Sequence, residues 1–372
     1  MKEYFYFTLF ILIFGGLAQY NNYRMNAINN INSQQVCINN DKNCKKLNLI
    51  QKYSVWILIL FLGIFAIQAF RFYVGTDYGF YFNLDVDKNF VIDKFKELDE
   101  PLIYLISFIA RSIWDHPASN IILMSFLMTV LLFIGLNKYD DNDITNMLLL
   151  YAFTGCLLFS FNGVRQALAL TFIFAFSKKS EKNWFLKYLI VIFIAFLFHK
   201  SALMFLPVLI LSNLKINKYQ MALIIISGFF IPLFFSYGYE FMGIVDLEDE
   251  YITNNINPIR VLVAFAPLIL LFFVNKKEFF KDNYFLTNIA VLNAIMTLTT
   301  MNSAYLNRFV QYSTIYLISF ISKCISQMQK KSKIIATIVV MLFYLFYFSY
   351  EIYNNYSLRI YHWIFPYISY YA

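Results

Sequence analysis

The sequence predicts an all-α protein, a polytopic transmembrane helical bundle with residues 1–372 as a single integral-membrane domain. Three observations predict it. Of the 372 residues, 60% are hydrophobic and 14% charged, where soluble domains carry roughly 25% charged residues. About 12 apolar stretches alternate with short polar runs, leaving too little polar sequence for a separate soluble domain. The stretches are also continuously apolar, as in Ile57-Leu58-Ile59-Leu60-Phe61-Leu62. That is the pattern of helices in lipid; a transmembrane barrel alternates at period two.

Spans are expected near 4–20, 53–70, 118–136, 144–160, 164–177, 184–199, 201–214, 219–238, 259–274, 284–301, 309–322 and 334–350. The first ends near Gly16-Leu17-Ala18, which resembles a signal-peptide cleavage site, but more spans follow and it is read as uncleaved. Segment 101–114 is apolar yet short, carries Arg111, and opens with Pro101 after Asp99 and Glu100, a good helix start. It is either a thirteenth span or a helix that lies in the interface or re-enters.

Charge decides between them, because cytoplasmic loops retain Lys and Arg. If 101–114 does not cross, 19 of the 30 basic residues fall on one side, among them 18 of the 23 lysines. Residues 71–117 are therefore expected to form an external segment with an interfacial helix, with both chain termini outside. The acidic loop 138–143 is the exception, internal by this count. The net charge of +8 thus follows membrane topology, and no nucleic-acid partner is expected. Six of the seven arginines fall outside, which fits either forked recognition of phosphate or carboxylate, or snorkelling to lipid phosphates. Arg260 and Arg359 are assigned to the second. Cys37, Cys44, Cys156 and Cys324 match neither a zinc site nor a disulfide framework and are expected as free thiols.

Ionisable groups beside long apolar runs cost several kcal/mol unless paired or hydrated, so they mark candidate sites. Four places qualify. In Arg71-Phe72-Tyr73-Val74-Gly75-Thr76-Asp77-Tyr78, Gly75 permits a tight turn that would join Arg71 to Asp77. In Asp99-Glu100-Pro101 the carboxylates sit at a helix start, where a plain cap is the simplest role. The stretch 144–177 is too long for one crossing and only just enough for two. A turn must fall near Asn162-Gly163, which would leave Arg165 and Gln166 recessed in a water-filled hollow. The same arithmetic on 184–214 breaks the chain near His199. Histidine trades protons near neutral pH, though one at a helix end is often a capping group. Arg308, preceded by Tyr305, enters the eleventh span from the same side.

These residues together resemble the EpsG family of membrane polysaccharide polymerases, relatives of the Wzy-type O-antigen polymerases. The likeness rests on Arg71 with Gly75-Thr76-Asp77-Tyr78 and Tyr81, on Glu100-Pro101-Leu102, on Asn162-Gly163-Val164-Arg165-Gln166-Ala167-Leu168-Ala169, and on His199-Lys200-Ser201-Ala202. A weaker echo follows at Tyr305-Leu306-Asn307-Arg308-Phe309. Two features depart from the pattern: the long loop 21–52 and the acidic run Asp246-Leu247-Glu248-Asp249-Glu250.

The resemblance implies a GT-C-like glycosyltransferase of the bacterial inner membrane. Such an enzyme builds O-antigen, capsule or exopolysaccharide from repeat units on undecaprenyl pyrophosphate at the periplasmic face. The implied partners are the undecaprenyl-pyrophosphate-linked glycan, membrane lipid, a chain-length regulator and a flippase. No cofactor and no metal are expected, since converging arginines can hold the diphosphate. Arg165 and Arg308 are assigned to the leaving group, with Arg71 in support. His199 is the first choice for base or phosphate donor, and Glu100 or Asp77 the base if His199 serves the phosphate. Tyr78, Asn162, Gln166 and Tyr305 complete the expected substrate-binding set. An O-antigen ligase would present one large external loop between late spans, whereas 239–258 is modest. A flippase would carry internal repeats and deep ions in both halves. A membrane acyltransferase is a further alternative.

Overall fold

The computed structural model describes residues 2–36, 55–139, 144–177, 183–214, 258–299, 304–359 and 361–364, and among them the architecture is helical. The extended pairing found there is an isolated bridge between Arg71 and Trp363. The elements in chain order are α1 (Lys2–Val36), α2 (Val55–Ala69), α3 (Tyr78–Phe82), α4 (Lys88–Glu97), α5 (Pro101–Ile113), α6 (Ala118–Tyr139), α7 (Ile144–Phe153) and α8 (Cys156–Asn162). They continue with α9 (Val164–Phe176), α10 (Trp184–Phe198), a 3-10 turn at Lys200–Phe205, α11 (Leu206–Asn213) and α12 (Pro258–Ile269). The last four are α13 (Lys276–Thr299), α14 (Ala304–Ser326), α15 (Lys330–Asn354) and α16 (Tyr356–Arg359). The expected span 219–238, the acidic run 246–250, Cys37 and Cys44 lie outside the described residues. Cys156 and Cys324 are buried free thiols.

Among the described residues, α6 and α15 are long and apolar enough to cross a membrane alone, and α7 with α8 qualifies as a pair bent by 51°. The bend has a local cause: Gly155 sits at φ +89, where glycine carries no Cβ penalty. Several other apolar helices are shorter, including α2, α5, α9 and α10. Helix α5, at 13 residues, rises about 20 Å against a hydrocarbon core of about 30 Å, too little for an upright crossing. Helix α1 runs well past the expected end of the first span at residue 20.

Helices α6 and α9 pack closely: a Cβ on Gly135 would stand 2.2 Å from the Phe174 ring, so only glycine lets the two approach. Inside the bundle, Gln68 of α2 donates to the Tyr151 hydroxyl of α7 (3.0 Å) and accepts from Thr129 of α6 (3.3 Å). Such pairing satisfies polar groups where no water is at hand. Outward faces remain apolar and uncovered. Ile335, Ile338, Val339, Leu342 and Phe346 on α15 are all more than half or about half exposed. An apolar stripe of this kind is a membrane surface rather than a water-facing one.

The chain between α2 and α6 carries α3, α4 and α5 and packs against α6 and α10. Asn120 of α6 pins it, donating to the carbonyls of Tyr81 (3.0 Å) and Leu84 (2.6 Å) while accepting from Ser107 (3.0 Å). The turn at 73–76 seats against α8: Thr76 N donates to Asn162 Oδ1 (3.0 Å), and Gly75, at φ +97, lies against the Phe161 carbonyl. A Cβ there would approach that oxygen to 2.1 Å. Gly75→Ala is therefore expected to destabilise the protein by about 1–3 kcal/mol. The check is a lower melting temperature in detergent than that of Gly79→Ala, whose added methyl meets its nearest neighbour only at 3.8 Å.

Candidate active site

Two helix breaks and one helix start build the site. The first break is at Gly163 between α8 and α9; it places Asn162 on the last turn of one helix, with Arg165 and Gln166 on the first turn of the next. The second is at His199, whose extended backbone (φ −158, ψ 125) ends α10 before the 3-10 turn. Both breaks fall where the length of the apolar runs requires them. The helix start is Glu100, held in the left-handed region at φ 51 ahead of Pro101. A non-glycine residue there carries local strain, which persists where its surroundings over-determine it.

The Glu100 side chain does not cap α5. It turns into the bundle, where its carboxylate gathers three donors from two other helices. Oε2 accepts from Arg165 Nη1 (2.6 Å), and Oε1 accepts from the Lys200 backbone N–H (3.0 Å) and bonds His199 Nδ1 (2.6 Å). Arg165 is further fixed by Nε donating to the Tyr81 hydroxyl (2.9 Å), with its guanidinium 5.6 Å from the Phe80 ring centre. Outside this knot, Asp99 joins Lys94 and Lys200, both at 2.7 Å.

Around the knot lies a cavity of about 220 Å³, lined by Asp77, Asn162, Arg165, Gln166, His199 and Arg308, with Thr76, Tyr81, Phe159 and Gly163. Gln166 Nε2 donates to the Arg308 carbonyl, tying the start of α14 to that of α9. Of the residues expected from sequence, these six share one hollow, and Glu100 braces it from behind. Three do not. Tyr78 is buried and stacked on Phe82. Tyr305 lies in the first turn of α14, and its side chain is outside the described residues. Arg71 is fully buried, donates to the Gln68 carbonyl (2.7 Å), and lies under Phe161 (4.9 Å) and Tyr78 (5.9 Å).

The expected Arg71–Asp77 approach is thus corrected. The Gly75 turn spends itself on docking against α8, and Arg71 is drawn inward under aromatic rings. Thr76, Phe159 and the Lys200 backbone join the site without having been singled out for it. Phe159 had a signal, one helical turn before Asn162. The Lys200 amide had none, because every non-proline residue offers one.

Burial pushes the Glu100 carboxyl up, but the His199 bond, the Lys200 amide and the Arg165 charge outweigh it and hold the group below its ordinary value. Asp77 differs. Burial raises it, and the Thr76 hydroxyl with Arg165, Arg308 and His199 offsets only part of that rise. Asp99 is drawn down to about 2 by hydrogen bonds from Lys200 and Lys94.

Depressed carboxyls favour the folded state above their ordinary values, 3.8 for Asp99 and 4.5 for Glu100, and lose that contribution as pH falls through the folded values. The detergent-solubilised protein is therefore expected to lose melting temperature as pH falls from about 5 toward about 2. Asp99→Asn is expected to flatten part of that dependence. A curve unchanged in that variant would remove the Asp99 contribution.

Comparison with curated proteins and with solved structures gave no match. The sequence model of the EpsG family, by contrast, matches residues 54–369, a span that holds every residue of the cavity. With that match over most of its length and with its apolar helices, the chain belongs to the EpsG family of polysaccharide-polymerase-type membrane proteins.

Proposed function

We propose that the protein polymerises oligosaccharide repeat units carried on undecaprenyl pyrophosphate, at the periplasmic or extracellular face of the bacterial inner membrane. In this reading about 12 spans adopt a GT-C-like arrangement, and the 71–117 segment covers the external mouth of the cavity. The observation that carries it is the sharing of one hollow by Arg165, His199 and Arg308, with Glu100 binding two of them together. Two guanidinium groups beside an imidazole suit a diphosphate leaving group and a hydroxyl nucleophile.

The chemistry needs a base at the acceptor hydroxyl and positive charge at the departing phosphate. The acceptor oxygen forms a bond to C1 of the donor sugar as the bond from C1 to the phosphate oxygen breaks. The hydroxyl proton passes to His199 Nε2, and the lipid diphosphate leaves as an anion against Arg165 and Arg308. Glu100 orients both. Its bond to His199 Nδ1 assigns the imidazole proton to that nitrogen, so Nε2 is the lone-pair acceptor. Three donors on its oxygens make Glu100 a poor base and a good positioning group. Asp77, with its raised affinity for protons, is the second carboxylate that faces substrate. Asn162 and Gln166 supply amides at the cavity edge, while Arg71, buried against the Phe161 and Tyr78 rings, stands outside it. Arginine grip makes a metal unnecessary; in this reading a flippase delivers the repeat units before this step and a chain-length regulator acts on the growing polymer.

Extension of a defined lipid-linked repeat by the purified protein tests the reading. Arg165→Ala is expected to lower the rate by about 10²–10³, the usual loss of a charge-stabilising donor. His199→Ala is expected to lower it by about 10²–10⁴. In cells, the same variants should lose long-chain polymer while single repeat units still reach the surface; loss of all export would identify a transporter instead. A normal extension rate in Arg165→Ala would sink the assignment.

A further inference from the structure

A second cavity, about 210 Å³, lies against the first, and the two share Phe159, Asn162 and Arg308 as a common wall. It opens between α8, α12, α13, α14 and α15 at the glycine break that bends α7 from α8. One water needs only about 10–15 Å³, so the space is that of a ligand rather than of a single solvent molecule.

Its chemistry is opposite to that of the first cavity. Arg260 and Glu351 face it, but each satisfies the other in a bidentate pair (3.0 and 2.8 Å). Apart from Arg308 in the shared wall, the remaining polar lining is neutral: Thr154, Asn162, Asn293, Thr297, Gln311, Thr314 and Asn355. Several of these hydroxyls have already given their protons to carbonyls of their own helices, Thr154 to Leu150 (2.7 Å) and Thr314 to Val310 (3.1 Å). What such a hydroxyl still offers is an oxygen lone pair.

Asn293 makes the same point more sharply. Ser313 and Thr314 both donate to the Val310 carbonyl, so they can only accept from the amide, which fixes Nδ2 toward them (2.9 and 3.1 Å). Asn293 Oδ1 is left buried with no hydrogen-bond partner among the described residues, in a side chain 1% exposed. A buried acceptor without a donor costs about 1–3 kcal/mol, and Asn293 carries it within the wall of this cavity. Away from the Arg308 wall, a phosphate, which brings only acceptors, would meet hydroxyl oxygens whose protons are already given and an Arg260 already paired with Glu351. A polyhydroxylated, uncharged molecule brings donors without charge, and Phe159, Tyr344 and Tyr347 supply ring surface beside it.

We propose that this second cavity is a glycan subsite, holding the uncharged sugars of the acceptor beside the diphosphate cavity, with Asn293, Gln311 and Thr314 as its polar contacts. The identification of the occupant as the acceptor rests on the polymerase reading; the preference for a neutral polyol does not. Arg308 and Asn162, in the shared wall, would then stand where the acceptor hydroxyl meets the donor's C1.

The experiment is direct binding to the full-length protein in detergent. The probe is the repeat-unit oligosaccharide of the host's own surface polysaccharide, released from its lipid phosphate by mild acid. Binding is followed by saturation-transfer magnetic resonance. Gln311→Leu is expected to weaken binding about tenfold or more, and Asn293→Leu likewise, whereas Arg165→Ala changes it little. Inorganic pyrophosphate is expected not to displace the sugar. Because Asn293 also joins α13 to α14, Gln311→Leu, which removes no interhelical hydrogen bond among the described residues, guards against a folding artefact. No binding to the wild-type protein at millimolar probe, displacement by pyrophosphate, or loss in Arg165→Ala with none in Gln311→Leu would each overturn the proposal. Sugar binding that tracks Gln311 in a protein unable to extend lipid-linked repeats would uphold the subsite and fail the polymerase reading alone.

Discussion

A buried carboxylate shared between an arginine and a histidine is the constraint on which the rest of the site depends. Glu100 sits at the start of α5, Arg165 at the start of α9 and His199 at the end of α10, and no two of the three share a helix. An unpaired carboxylate in such surroundings would be strongly unfavourable, and so would an unpaired guanidinium. Their mutual satisfaction draws three helix ends to one point. Glu100 accepts a strained backbone to reach it, and the segment that carries it is fastened to α6 through Asn120.

The broken helices follow from the same physics. Continuous helices keep their backbone groups satisfied within lipid, so irregular backbone is tolerated only where protein or a hydrated cavity covers it. Gly163 and the extended His199 both lie on the first cavity, and Gly155 on the second. Each break exposes backbone at a place where polar side chains and space are present to receive it. The breaks are therefore part of the site as much as the side chains, because they allow Arg165 and His199 to be presented from helix ends rather than from lipid-facing flanks.

The two adjoining cavities divide the polar chemistry between them. One is rich in donors and positive charge; the other, away from the wall they share, holds a mutually paired Arg260 and Glu351 among neutral side chains. Their common wall contains Arg308, which the first turns of α14 bring across to α9 through Gln166. A transfer reaction between a charged leaving group and a neutral acceptor needs two environments of this kind in contact. The C-terminal ends of α6 and α9 meet away from the two cavities, where Lys138 donates to the Ala175 carbonyl and Tyr139 to that of Ser177.

Much of this was legible in the residues alone. Membrane character, the breaks near Asn162-Gly163 and His199, and the candidacy of Arg165, His199, Glu100 and Arg308 follow from hydropathy, from run lengths against a bilayer's thickness, and from the cost of ions among apolar side chains. These are properties of composition and local spacing. Tertiary structure alone decided which ions meet. It turned Glu100 from a helix cap into the shared acceptor, parted Arg71 from Asp77, and made a cavity from Asn293 and Gln311, which stand on helices far from the motifs in sequence. Pairing depends on which helix ends are brought together in space, and a polar side chain inside an apolar run shows only that it needs a partner, not which one it finds.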